Sequence, residues 1–258
     1  MVPDYVQRLR LDGRAYLVVG AGRGIGRQTA HALSQAGAVV ACLDSDEERS
    51  RKVAQEVQGV PLTCDAVDRG ALESAVDGLV AEVGPLHGIV DIVGMARFQA
   101  LADVTDADWD WQMGIVVTHA RYVLQIGARV LADTAGSMVF VSSVVGLTGA
   151  QGIGSYGAAK AALISLVRTA SVEFASAGIR VNSVAPSVVL TPRMSEILTN
   201  PDRRSSFVDN VPLGRLAEES DVAGSILFLC SPLSGYITGQ TLVLDGGVQA
   251  RLPYPDFV

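Results

Sequence analysis

Short apolar runs alternate with segments of helical periodicity along most of the chain. The runs Ala15–Val19, Val39–Leu43, Pro61–Cys64, Gly88–Val93, Ser137–Ser142, Arg180–Ala185 and Leu242–Leu244 are rich in β-branched residues. Continuous apolar runs of this length predict strands buried on both faces, as in a parallel sheet. Between them the spacing predicts helices over Ile25–Gln35, Asp46–Val57, Arg69–Glu82, Asp106–Leu131, Tyr156–Ser176 and Glu219–Cys230. The alternation predicts an α/β fold, a doubly wound parallel sheet with helices on both faces. No repeat or low-complexity stretch divides residues 1–258, so they read as a single domain.

Residues 187–214 break the rhythm, with Pro192, Asn200, Pro201, Pro212 and the basic pair Arg203 and Arg204. A long insertion after a strand's carboxyl end predicts a lid over a ligand crevice. The tail 248–258, with Tyr254 and Phe257, is too short for a domain and reads as a strap. With 49% hydrophobic residues the chain is apolar for a soluble monomer, yet no stretch reaches a membrane span. The excess is expected at subunit interfaces. A net charge of −7 argues against nucleic acid or an anionic membrane as main partner. Cys42, Cys64 and Cys230 are scattered and odd in number, as in a reducing cytoplasm, and no basic, apolar leader opens the chain. No cluster has metal-ligand spacing, so no metal is expected.

Chemistry enters with Gly20-Ala-Gly22-Arg-Gly24-Ile-Gly26, between the first predicted strand and helix. Such a loop lets backbone N–H groups and a helix dipole meet a phosphate. Gly20, Arg23, Gly24, Ile25 and Gly26 are its candidate cofactor contacts. Asp44 ends the second predicted strand about twenty residues on, the distance at which an acid reads ribose hydroxyls. It favours NAD by repelling a 2′-phosphate, while Arg23 pulls toward NADP. Further along, Tyr156 and Lys160 lie one helical turn apart, with Ser143 thirteen residues upstream of the tyrosine. A cation beside a phenol is expected to lower its pKa from ~10, and a serine hydroxyl can bond a carbonyl oxygen. The three suit proton exchange with an alcohol oxygen.

These pieces resemble the short-chain dehydrogenase/reductase family in its classical form, from about Leu11 to Gly247. The resemblance also rests on Cys64-Asp65-Ala66, Ile179-Arg-Val-Asn-Ser-Val-Ala-Pro186 and Thr238-Gly-Gln-Thr-Leu-Val-Leu-Asp-Gly-Gly247. It implies a Rossmann-type domain, a homotetramer and NAD(P)-linked alcohol or ketone chemistry. It places Asp65 and Ala66 at the adenine, Gly94 at a cofactor ribose, Lys160 also at the nicotinamide ribose, and Val189 and Thr191 at the carboxamide. Met95, Val145, Ile153 and Met194, with Phe98, Val144, Val188 and Leu198, fall on the substrate wall. Three departures stand out. Asp91-Ile-Val-Gly94 replaces Asn-Asn-Ala-Gly, Ser187 follows Pro186 in place of glycine, and Val116 replaces the active-site asparagine. If a helix distortion frees its backbone carbonyl, the proton relay survives that last change. His119 reads as an interface histidine more readily than as a substitute relay.

The leading expectation is an NAD(H)-dependent oxidoreductase interconverting a secondary alcohol and a ketone on an apolar or cyclic body. A 3-oxoacyl-carrier-protein reductase-like enzyme and a dinucleotide-binding sensor or scaffold with weakened catalysis stay open beside it.

Overall fold

The run Ala15–Val19 is buried along its whole length and forms β1, an interior strand of a seven-stranded sheet. The structure, a computed structural model, describes residues 2–251, so the tail's Tyr254 and Phe257 lie outside the described residues. The other strands are β2 (Val39–Asp44), β3 (Val60–Thr63), β4 (Leu86–Asp91), β5 (Ser137–Val141), β6 (Arg180–Pro186) and β7 (Thr241–Leu244). All neighbours pair in parallel, in the order β3-β2-β1-β4-β5-β6-β7. The winding direction reverses between β1 and β4, which opens a crevice at their carboxyl ends.

Nine α-helices complete the described fold: α1 (Gly24–Gln35), α2 (Glu47–Val57), α3 (Arg69–Val83), α4 (Asp106–Met113), α5 (His119–Val130), α6 (Gly154–Glu173), α7 (Pro192–Ile197), α8 (Pro201–Val208) and α9 (Glu219–Cys230). Alternation along β1 divides the core. Tyr16 and Val18 join Ala30 and Leu33 of α1, Val53 of α2 and Ile226 of α9. Leu17 and Val19 join Leu72 of α3, Val123 of α5 and Leu163 of α6 on the other face. Each fully buried side chain of this size contributes about 1.5–3 kcal/mol. Among the described residues no helix is long and apolar enough to cross a membrane.

Three differences from the sequence reading have local causes. β4 stops at Asp91, not Val93, because the Asp91 carboxylate accepts the Val93 N–H at 3.1 Å and turns the chain. The expected helix Asp106–Leu131 is broken by a π turn over Gly114–Thr118. Gly114, Ile115, Val116, Val117 and Thr118 are all weak helix formers, and the wider turn sits where they fall together. Residues 187–214 are not wholly irregular, since Pro192 and Pro201 begin α7 and α8. Proline suits a first helical position, where its missing N–H costs nothing.

Candidate active site

The glycine loop rises from β1 and crosses the end of β2, where the N–H groups of Gly20 and Ala21 both reach the Leu43 carbonyl at 2.8 Å. Gly20 has φ +86°, a left-handed conformation that glycine alone adopts cheaply. Gly24 and Gly26 begin α1, whose N-cap, Arg23, supplies no side-chain hydrogen bond. By contrast α2, α3, α7 and α8 are capped by Asp46, Asp68, Thr191 and Asn200. The first turn of α1 therefore presents uncapped N–H groups toward the loop. Ile25 packs into the core beneath, and Arg23 is exposed, with no ion pair among the described residues.

Asp44 is held at the tip of β2. Its carboxylate accepts the Gly22 N–H at 2.9 Å and the Asp46 N–H at 3.1 Å. Asp46 caps α2 itself, which leaves Asp44 facing the loop. Asp65 is exposed just after β3, and Ala66 is buried beneath it. Thr191 comes to the far side of the loop, its Cγ2 3.6 Å from where a Cβ on Gly24 would stand. Val189 is buried and bridges Ala217. An uncapped helix start, a glycine turn and a carboxylate at the neighbouring strand tip fit a dinucleotide.

The catalytic candidates gather at the end of β5. Ser143 follows the strand, and its hydroxyl accepts the Val145 N–H at 3.4 Å and donates to the Pro186 carbonyl at 3.5 Å. Tyr156 and Lys160 sit one turn apart on α6, and the lysine Nζ lies 5.5 Å from the tyrosine ring centroid. That ammonium, 1% exposed, donates to the Val141 carbonyl at 2.7 Å. A Cβ on Gly94 would stand 2.7 Å from it, so Gly94 closes this corner without a side chain.

The electrostatics correct one expectation. Burial pushes the Tyr156 phenol up to about 12, while its interaction with Ser143 and the charge of Arg193 pull it down. Burial outweighs both pulls, so the net shift is upward. Lys160 is pushed down to about 8 by burial, opposed by the charge of Asp91.

Of the substrate-wall candidates, Met95 and Phe98 are exposed, whereas Val145, Ile153 and Met194 are half-buried. Gln99 bridges Ile153, which sets the loop after β4 against the start of α6. Leu198 does not line the crevice. It is buried with Val211 and Leu216 in a small core under α7 and α8.

His119 corrects a second expectation. It is not on an outer face but 0% exposed, its Nε2 2.9 Å and 3.2 Å from the two Asp91 carboxylate oxygens. Val116, inside the π turn, is also fully buried. His119→Ala is therefore expected to destabilise by about 1–3 kcal/mol, the cost of removing a buried hydrogen-bond partner from the Asp91 carboxylate. Denaturant titration checks it, and an unchanged midpoint would contradict the pairing. No sequence signal joins Asp91 to His119, and none singles out Arg193 within residues 187–214.

Comparison with known proteins agrees with this geometry. A family model described as enoyl-(acyl carrier protein) reductase matches residues 20–249. The 3-oxoacyl-[acyl-carrier-protein] reductase of Thermotoga maritima is 35% identical over 93% of this chain and 99% of its own. The L-xylulose reductase of Bos taurus is 36% identical over 94% and 99%. A 7α-hydroxysteroid dehydrogenase, solved with NADH and 7-oxo glycochenodeoxycholic acid, superposes with TM-score 0.91 at 27% identity, covering 95% of this chain and 98% of that one. The chain belongs to the short-chain dehydrogenase/reductase family, oxidoreductases acting on secondary alcohol and ketone groups.

Proposed function

We propose that the protein interconverts a secondary alcohol and a ketone on a largely apolar body, with NAD(H) as its partner. The convergence of Ser143, Tyr156 and Lys160 beside Gly94 carries this reading. The dinucleotide would supply or accept the hydride. The loop Gly20–Gly26 and the α1 N-terminus would bind its phosphates, with Asp44 at the adenosine ribose and Asp65 and Ala66 at the adenine. Gly94, Lys160, Val189 and Thr191 would line the nicotinamide end.

Ser143 would hold the substrate oxygen by its hydroxyl. Tyr156, kept neutral by burial, would donate its phenolic proton to that oxygen as a ketone is reduced and take it back on oxidation. The ammonium of Lys160 would anchor the ribose and favour the phenolate left behind. The α7–α8 segment would close over the crevice.

Asp44 carries the preference for NAD(H). Two like charges about 4 Å apart cost about 1–4 kcal/mol near a protein surface, or about one to three decades in affinity. Titration is expected to show NADH binding tighter than NADPH, with Asp44→Ala narrowing the gap. Equal or tighter NADPH binding by the native protein would overturn the assignment and promote Arg23.

A second reading, a reductase of 3-oxoacyl chains on a carrier protein, is favoured by the Thermotoga maritima relative. The acidic surface here is a poor match for an acidic carrier. Faster turnover of a carrier-linked ketone than of free cyclic ketones would establish that reading instead.

A further inference from the structure

We propose that Arg193 recognises a carboxylate on the substrate, so that the crevice takes an alcohol or ketone with an anionic group on its apolar body. The inference rests on the oxidoreductase reading above and names the substrate class for the same site. Arg193 is the second residue of α7, directly after Pro192 and the Thr191 cap. Its Nη2 donates to the Ala96 carbonyl at 2.9 Å, two residues past Gly94. The guanidinium thus spans from the lid segment to the loop after β4, across the mouth of the crevice.

This cation is half-buried, and among the described residues no carboxylate pairs with it. By contrast Arg97, the residue after the carbonyl partner Ala96, is paired with Asp108. The Arg193 charge reaches the Tyr156 hydroxyl, where it draws the phenol down against burial. Its partner Ala96 lies two residues past Gly94, where a Cβ would stand 2.7 Å from the Lys160 Nζ, so the guanidinium is tied to the loop that meets the reacting groups.

One carbonyl contact uses one of the five guanidinium N–H donors. The rest form a planar fork suited to a carboxylate. A wholly apolar ligand closing over this site would strip water from an unpaired cation, which is costly. A carboxylate would turn that cost into a charge-assisted contact, while Met95 and Ile153 meet the apolar body. The simpler role for Arg193 is a latch that only ties α7 to Ala96. A latch has no reason to distinguish an acid from its ester.

The experiment compares oxocyclohexanecarboxylate with its methyl ester, each titrated into the NADH-bound protein and followed by NADH fluorescence. The native protein is expected to bind the acid at least about tenfold tighter than the ester, one charged contact's worth. Arg193→Gln should abolish that preference and leave ester binding within about twofold, while Arg193→Lys should keep part of it. Equal binding of acid and ester by the native protein, or an equal loss of both in Arg193→Gln, overturns the proposal. Turnover is read in parallel. An acid preference without reduction of either probe supports the anion site and excludes only this ring ketone as a substrate.

Discussion

Tyr156→Phe is expected to lower kcat by about 10²–10⁴, the usual cost of losing an acid–base group. The change deletes one oxygen and leaves the ring in place. Its expected cost to folding is small, because the phenol makes its polar contacts only with the site. NADH affinity should stay within about twofold, since the loop, Asp44 and Lys160 are untouched. Steady-state kinetics with fluorescence titration separates the two effects. A near-normal rate would mean that another group moves the proton.

Lys160→Met should damage both cofactor affinity and rate, at least tenfold in affinity, because a single ammonium is assigned to both. It also has a stability signature. Burial depresses the folded-state value to about 8 from the ordinary 10.5 of a lysine. Between those values the unfolded chain binds more protons at this position than the folded one, so this group's contribution to stability rises with pH. Below pH 8 the buried charge is a constant penalty. The stability of the protein with Lys160 relative to Lys160→Met is thus expected to grow from pH 8 to 10.5, by about 3 kcal/mol. The buried thiols of Cys42 and Cys230 are common to both proteins and cancel, whereas Tyr156 lies beside the ammonium, so the comparison is made in a Tyr156→Phe background. Cofactor binding should fall as pH rises through about 8, where the ammonium is lost. A pH-independent difference would contradict the assignment.

Much of the fold was legible because its signals are local. The run Ala15–Val19 is apolar at every position, and a strand covered on both faces allows little else. The glycine loop and Asp44 sit at fixed offsets from strand ends, so their placement follows once β1 and β2 are found. Tyr156 and Lys160 share a face by helical spacing alone. What stayed hidden depends on contacts distant in sequence. Asp91 and His119 are twenty-eight residues apart and meet only because β4 and α5 pack together. The π turn at Gly114–Thr118 comes from weak helix formers caught in an otherwise helical pattern, and spacing does not register the extra residue. The upward shift of Tyr156 required its burial, where the sequence offered only a neighbouring cation. Arg193 looked like one more charge in an irregular segment until its guanidinium was seen to reach Ala96.

Hydride transfer itself tests the account most directly. NADH carrying deuterium at its transferable position, mixed with a panel of cyclic and keto-acid ketones, is to be followed by mass spectrometry of the products. The native protein is expected to place deuterium on the carbinol carbon of at least one alcohol product, and Tyr156→Phe to reduce that transfer by at least about 10². Tight NADH binding with no deuterium in any product would contradict the account and leave a dinucleotide-binding protein without this chemistry.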